Sequence, residues 1–265
     1  MFDNVMSNEK IMFVITDQAV FILEIRRVLE VLKRYLEAIN FFEVNMIKDH
    51  VSDKMCQITE MEVAFLNAIF VDLDSCVLDV MCGYGRHASS LSKRGYKAID
   101  GIDLNEYRDK MQDGFNFILG DFYTWEPDEK YKYIYSLYNS YSNRRDFQNH
   151  ITKCMSLIDT QGIFIVDVFN RAYRERFPRL TSRTVFEDRE YKIELAREYH
   201  SGVERSIYKI VRNDEILKEF DFSQIFLYEN ELEKLMPSNY DYEIITSSIA
   251  KTRSNDEKIV VILKS

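Results

Sequence analysis

The chain has 265 residues, of which 46% are hydrophobic and 30% charged, and its formal net charge is −9. This composition is typical of a globular protein, and the acidic balance argues against nucleic-acid binding, which depends on phosphate neutralisation by Lys and Arg. No stretch approaches the roughly 20 apolar residues of a membrane span. The four cysteines lack the spacing of a metal site, so we expect reduced thiols, no metal and a cytoplasmic location.

The first part of the chain is predicted to be helical. Residues 19–49 have apolar side chains at helical spacing and predict one or two amphipathic helices. A further helix is expected over residues 60–70, with Thr59 as its N-cap and Glu62 completing a capping box.

From residue 76 onward, short apolar strands alternate with helices. The pattern predicts two helices, at 86–94 and 146–158. It also predicts five strands, at 76–81, 97–102, 115–119, 132–138 and 162–168. Such alternation indicates a parallel sheet covered on both faces, that is, an α/β fold of the Rossmann-like kind. Ligands of these sheets bind at the carboxyl ends of the strands.

After residue 183 the pattern changes to longer strand-like runs. Three runs, 184–199, 203–212 and 215–228, are separated by the turn-like pairs Ser201-Gly202 and Asn213-Asp214, and predict an antiparallel three-stranded meander. A helix at 229–236 and strands near 241–247 and 257–263 are expected to finish the chain.

The segment around residues 77–87 predicts a nucleoside-binding site. An apolar strand leads into a turn with Gly83 and Gly85, and glycines at a strand-to-helix turn let the backbone approach a ligand beside the helix N-terminus. The next strand ends in Asp103, where a carboxylate can accept both hydroxyls of a ribose. The same turn also fits a loose dinucleotide pattern, but Asp79 lies where that fold usually has an aliphatic residue.

The stretch from residue 78 to residue 105 carries a more specific resemblance. Its sequence, LDVMCGYGRHASSLSKRGYKAIDGIDLN, resembles the signature LDLxCGxGRHxxxLAxRGYxVxGxDLS of class I S-adenosylmethionine-dependent methyltransferases of the small-molecule type. The resemblance covers roughly residues 60–263 and includes 62–66, 120–122, 138–142, 162–171 and 227–232.

The resemblance implies an α/β fold with a Rossmann-like seven-stranded methyltransferase sheet, N-terminal helices and an antiparallel β-meander lid inserted after the fifth strand. Four regions are expected along the chain. They are an N-terminal helical segment (1–58), a cofactor-binding core (59–182), the lid (183–228), and a C-terminal helix with the last two strands (229–265).

The resemblance also implies which residues bind S-adenosylmethionine. Amides near Cys82, Gly83 and Gly85 would hold the methionine end, Asp79 would face its ammonium group, and Asp103 would take the ribose hydroxyls. The adenine is assigned to Asp121 as acceptor of its amine, to the N–H and ring of Phe122, and to Leu104 as an apolar wall. Tyr138 completes the predicted cofactor set.

The candidate catalytic residues are less specific. The resemblance implies that Asn139 and Tyr141 lie where the methyl group should meet its acceptor. A general base is sought among His87, His150, which is expected on the surface, and His200, which is expected in a solvated turn.

Two departures from the family pattern stand out. Met81 occupies the position of the family's first turn glycine. Asp121 follows Asp103 by only 18 residues, so the helix expected near 106–111 is short.

The predicted function is methyl transfer from S-adenosylmethionine to an N or O atom of a small molecule, without nucleic-acid or membrane partners. The alternatives are an NAD-dependent oxidoreductase and a catalytically silent partner protein with the methyltransferase fold. The arginine-rich segment 171–183 either binds an acidic substrate or covers a solvated surface. A homodimer through the N-terminal helices or the lid is left open, and the motifs do not specify the acceptor.

Overall fold

The computed structural model describes residues 53–105, 113–187, 191–245 and 258–265. The helices predicted within 19–49 and near 106–111 lie outside these residues. The described helices are α1 (Asp53–Ile69), α2 (Arg86–Lys93), α3 (Arg144–Leu157), α4 (Arg171–Arg176) and α5 (Glu229–Glu233). The described strands are β1 (Cys76–Val80), β2 (Ala98–Asp103), β3 (Asn116–Leu119), β4 (Tyr131–Ser136), β5 (Ile158–Asn170), β6 (Ser182–Glu187), β7 (Tyr191–His200), β8 (Val203–Arg212), β9 (Glu215–Leu227), β10 (Asp241–Ile245) and β11 (Lys258–Lys264).

Seven of these strands form the sheet that the sequence predicts. Strands β3, β2, β1, β4 and β5 lie side by side in that order and are parallel. Strand β11 pairs antiparallel with β5, and β10 pairs antiparallel with β11. The predicted Rossmann-like sheet of seven strands is therefore confirmed, and its carboxyl edge brings the ends of β1, β2, β3 and β4 together.

Helices cover both faces of this sheet. The side chains of each strand point alternately to the two faces, and apolar side chains on each face pack against helices. In β1, Val77 packs with residues of α1 and α2, whereas Leu78 and Val80 pack with residues of α3. Since successive strand residues point to opposite faces, Asp79 shares the side of Val77. The chain therefore places a carboxylate on the face where α2 begins.

The lid has one strand more than the sequence predicts. The run 184–199 contains both β6 and β7, and the lid strands follow in the order β9-β8-β7-β6. The charged residues Asp188, Arg189 and Glu190 stand between the two strands in the sequence, and the prediction placed no break there. Both predicted turns are confirmed, because their residues have positive φ, as type I′ turns require, at Ser201 (49°), Gly202 (83°), Asn213 (50°) and Asp214 (63°).

Contacts within the chain define two compact units. The larger comprises Val51–Ser182, Ala196–Ile207 and Asp221–Ser265, and it contains every residue of the candidate site. The described part of the smaller unit falls in Arg183–Leu195 and Tyr208–Phe220. Its buried apolar residues include Ile193, Leu195 and Ile210. Its ion pairs include Lys192–Glu194 and Lys209–Glu219.

Two local predictions were wrong. Helix α1 begins at Asp53, so Thr59 lies inside it and is not an N-cap. Strand β4 ends at Ser136 rather than near residue 138, because Tyr138 has a φ of 66° that a strand cannot contain. As for membrane insertion, none of the helices in the described ranges combines the length and apolar character that crossing a bilayer requires.

Candidate functional site

The glycine turn after β1 contains two glycines with different roles. A Cβ atom on Gly83, whose φ is 57°, would meet nothing within 4 Å, so the backbone there borders open space. A Cβ atom on Gly85, whose φ is 81°, would lie 2.1 Å from the Phe115 ring. Gly83 therefore leaves room for a ligand, whereas Gly85 permits the turn to pack against Phe115.

Asp79 is a buried carboxylate with an unsatisfied oxygen. Its residue exposure is 2%, and its Oδ2 atom has no hydrogen-bond partner among the described residues. Burial raises the pKa of Asp79 to about 7, although the charge of Arg86 and the backbone N–H of Ala88 act in the opposite direction. A buried oxygen of this kind favours a cationic partner, which would restore the ionised form.

Backbone donors orient the Asp103 carboxylate. The Gly83 N–H donates to Oδ2 and the Asn105 N–H donates to Oδ1, each at 2.9 Å. Because each carboxylate oxygen can accept more than one hydrogen bond, both oxygens retain capacity for a ligand. Asp103 is therefore held in place and still able to accept two hydroxyl groups.

The end of β3 lies beside the end of β2, since the Gly120 N–H donates to the Asp103 carbonyl at 3.0 Å. Asp121 follows and is exposed, with Oδ1 accepting the Tyr123 N–H at 2.9 Å. Leu104 is 67% exposed, as an apolar wall for a ligand should be. Phe122 differs from expectation, because its ring is buried in the core on the α3 side.

Two of the candidate catalytic residues lie at very different depths. Asn139 is half-buried next to the glycine turn, where its side-chain amide donates to the Val80 carbonyl at 3.3 Å. Tyr141 is buried, lies 3.5 Å from the Ser136 hydroxyl, and packs edge-on against Phe147. Asn139 therefore borders the candidate site, whereas Tyr141 belongs to the core.

The third candidate, His87, is tied to α1. Its Nε2 atom lies 2.8 Å from Glu62 Oε2, and burial, together with the charge of Arg86, lowers the pKa of His87 to about 4. A neutral imidazole must present its N–H to a carboxylate, so His87 donates this bond. Arg86 also bonds Glu62, at 3.1 Å, and Thr59 Oγ1, at 2.6 Å. The Thr59 and Glu62 pattern thus serves tertiary contacts rather than a helix cap.

Glu62 remains ionised in this buried setting. Burial acts to raise its pKa, but the hydrogen bond from the neutral His87 and the positive charge of Arg86 outweigh burial, and the net effect lowers the pKa. Helix α1 is therefore joined to the start of α2 by a charged contact.

The sequence reading missed an ion pair on the neighbouring strands. Asp167 in β5 is 2% exposed and bonds Lys258, the first residue of β11. Burial raises the pKa of Asp167, against the effect of Lys258. The sequence could have indicated this ion pair, because Asp167, like Asp79, is a carboxylate inside an otherwise apolar strand.

The structure also tests which of the other candidate residues are buried and which are exposed. His150 is fully buried rather than on the surface, with Nε2 lying 2.7 Å from the Ser136 hydroxyl, and burial lowers its pKa to about 3. His200 is exposed, as expected. Within the arginine-rich segment, Arg174 is buried and bonds the buried Glu204 at 2.8 Å, so the segment does not simply cover a solvated surface.

The order and directions of the seven strands are those of the S-adenosylmethionine-dependent methyltransferase fold, and solved structures of this class match it. A methyltransferase from Clostridium acetobutylicum ATCC 824 superposes with a TM-score of 0.62 at 16% identity, covering 84% of this chain and 98% of its own. The CcbJ methyltransferase from Streptomyces caelestis gives 0.62 at 16% identity, with coverages of 79% and 90%. The sugar N-methyltransferase KedS8 from Streptoalloteichus sp ATCC 53650 superposes with a TM-score of 0.60 at 12% identity, covering 83% of this chain and 92% of its own.

No protein-family model matches the chain, and no curated protein sequence matches it. Identities this low establish a shared fold and not a shared activity.

Proposed function

We propose that this protein is an S-adenosylmethionine-dependent methyltransferase that transfers a methyl group to an N or O atom of a small-molecule acceptor. The observation that carries the proposal is the set of carboxylates at the ends of three adjacent strands, Asp79, Asp103 and Asp121. They stand in the order in which this cofactor presents its ammonium, ribose and adenine groups. Structures with the same fold include an amino pentose methyltransferase solved with S-adenosylmethionine bound.

The residues present fit this cofactor. The unpartnered Oδ2 of Asp79 offers a buried site for an ammonium group, and the open side of Gly83 leaves space for the chain beside it. Asp103 retains acceptor capacity for two hydroxyls. For the adenine, the proposed contacts are the exposed Leu104 and Asp121 and the Phe122 backbone N–H. The Phe122 ring is buried in the core and is not one of these contacts.

Three further residues complete the proposed cofactor site. The Cys82 N–H donates to the Ile102 carbonyl, so Cys82 shapes the turn rather than offering this donor. Gly85 acts through its packing against Phe115. Tyr138 is the second residue after β4, which is paired with the strand that carries Asp79.

When bound, S-adenosylmethionine supplies an activated methyl group for an in-line displacement. The contribution of the protein is then to hold the reacting atoms in line and to exclude water. A base is needed only where the acceptor must lose a proton. His87 donates to Glu62 and is buried, so we assign it a structural role and retain Asn139 as the residue bordering the acceptor.

The proposal includes a cytoplasmic location, in keeping with the four free cysteines. A homodimer is a further proposal, which light scattering of the purified protein would test.

Calorimetry with S-adenosylhomocysteine tests the cofactor assignment. Asp103→Ala should weaken binding by about 100-fold, because hydrogen bonds to a charged group contribute roughly 1.5–3 kcal/mol each. Asp241→Ala, an exposed carboxylate in β10, is the matched control and should bind as the wild type does. Absence of wild-type binding would remove the proposal, and a nicotinamide fluorescence change with NADH would favour the oxidoreductase instead.

Activity is tested separately, by release of S-adenosylhomocysteine from S-adenosylmethionine with a panel of amines and hydroxylated small molecules. Turnover that Asp103→Ala abolishes would support the enzyme. Tight cofactor binding without turnover on any acceptor would favour the catalytically silent partner protein.

A further inference from the structure

Tyr138 has a backbone conformation that its own side chain disfavours. It is the second residue after β4, and its φ of 66° lies in the left-handed region, which non-glycine residues rarely adopt. Such a conformation persists only when the surrounding structure holds it, and these residues are concentrated at functional sites. The contacts around Tyr138 therefore identify what holds it.

Strands β5 and β11 supply the first set of contacts. The Tyr138 N–H donates to both carboxylate oxygens of Asp167, at 3.0 Å and 3.2 Å. Lys258 bonds the same carboxylate, and its Nζ atom lies 3.5 Å from the centroid of the Tyr138 ring. Asp167 thus holds the backbone of Tyr138, and Lys258 holds its ring.

Helix α2 supplies the second set. The guanidinium carbon of Arg86 lies 4.8 Å from the centroid of the same Tyr138 ring. Arg86 is itself fixed by Thr59 and Glu62 of α1, and it directly follows the glycine turn. Two cations from distant parts of the chain therefore contact one ring beside the candidate cofactor site.

We infer that Asp167 and Lys258 are positioning residues of the cofactor site. Together with Arg86 they form a clamp, the Tyr138 clamp, which holds Tyr138 in the conformation that cofactor binding needs. This inference rests on the proposed function and adds to it two residues that lie outside the glycine turn. Lys258 acts through the ring of Tyr138, and Asp167 acts through its backbone N–H.

Calorimetry with S-adenosylhomocysteine on the full-length chain tests the clamp. Lys258→Met removes the cation and should weaken binding by about tenfold, because the free energy of a desolvated cation–π contact corresponds to about this change in affinity. Lys258→Arg keeps a cation at this position and should recover affinity to within about threefold of wild type. Asp167→Asn removes the charge that holds Lys258 at nearly constant size and should also weaken binding. Lys264→Met, at the exposed far end of β11, is the matched control.

A double-mutant cycle separates positioning from general destabilisation. In a Tyr138→Ala background, Lys258→Met should cause no further loss of affinity, because the ring on which Lys258 acts is gone. Additive losses in the two variants, or unchanged affinity in Lys258→Met, would overturn the clamp. Thermal unfolding of each variant establishes that folded protein is being titrated, and Lys258→Arg carries the test where Lys258→Met is poorly folded.

The two proposals fail differently. If wild-type protein does not bind S-adenosylhomocysteine, the proposed function fails. If wild type binds and Asp103→Ala does not, while Lys258→Met binds as tightly as wild type, only the clamp fails.

Discussion

Two neighbouring regions of the sheet edge are built in different ways. At the ends of β1, β2 and β3, polar side chains are oriented by backbone N–H groups, as where the Gly83 and Asn105 N–H groups hold Asp103 and the Tyr123 N–H holds Asp121. At the ends of β4 and β5, side chains are held by partners far away in sequence, as in the pairs Tyr138–Asp167 and Asp167–Lys258. The first region is prepared for a ligand by backbone N–H groups of the turns, and the second by side chains of neighbouring strands.

The packing around each residue separates effects on ligand binding from effects on stability. Asp79 belongs to the first region, and its Oδ2 atom has no hydrogen-bond partner among the described residues, so its substitution should affect the ligand more than the fold. His150 and Gly85 are surrounded by packed side chains, so their substitution should affect the fold first. Four predictions test this contrast, in order of decreasing effect.

Asp79→Asn should weaken S-adenosylhomocysteine binding by about 100-fold, because a buried ammonium would lose its charged partner. The same change should stabilise the free protein. The pKa of Asp79 is raised to about 7 in the folded state, so folded protein retains the proton that unfolded protein releases, and stability is lost as pH rises toward 7.

The melting temperature of Asp79→Asn without cofactor should therefore exceed that of wild type at about pH 8, and the difference should shrink near pH 5. Adding S-adenosylhomocysteine should raise the melting temperature of wild type more than that of Asp79→Asn. Equal affinity in the two proteins would show that Asp79 has no ligand role.

Gly85→Ala and Gly83→Ala form a matched pair within one turn. Both place a Cβ atom at positive φ, which costs roughly 1–2 kcal/mol. Gly85→Ala also drives a methyl group into the Phe115 ring, so its total loss in denaturant unfolding should reach about 2–4 kcal/mol. Gly83→Ala should lose less stability and more cofactor affinity, and equal unfolding losses would contradict the separate roles assigned to the two glycines.

His150 makes the fold sensitive to acid. Burial lowers its pKa to about 3, below that of unfolded chain, so the stability contributed by neutral His150 is present above about pH 6.5 and lost as pH falls. Between pH 6.5 and pH 5 this loss amounts to about 2 kcal/mol.

His150→Gln should flatten that dependence in denaturant unfolding, whereas His200→Gln, at an exposed position, should preserve it. His87 adds to the wild-type slope, since its pKa is lowered to about 4. An unchanged slope in His150→Gln would show that protonation elsewhere governs acid unfolding.

Met81→Gly should have the smallest effect. Met81 has a φ of 58°, so glycine relieves backbone strain while giving up the partly buried Met81 side chain. The two effects should leave stability within about 1 kcal/mol of wild type, and S-adenosylhomocysteine affinity within about threefold. A much larger gain in affinity would show that Met81 crowds the cofactor turn.

Prediction from sequence succeeded where short-range patterns control the structure. Strand–helix alternation predicted the parallel sheet, and the two turn pairs Ser201-Gly202 and Asn213-Asp214 were recognised because few residue types tolerate positive φ. It failed for Thr59 and Glu62, whose spacing matches a capping box although their partners are in α2. It failed again for His150, because a single histidine does not reveal which side of a helix faces the core.

The amino-acid sequence by itself determined the turn after β1, the carboxylates at successive strand ends and the order of the core elements, because these follow from backbone preferences and hydrophobic periodicity. Only the tertiary structure decided that Asp79 has an unpartnered oxygen, that the Phe122 ring is buried, and that Lys258 reaches Tyr138. Burial and side-chain pairing depend on residues brought together across the sheet, and no local pattern in the chain encodes those distances.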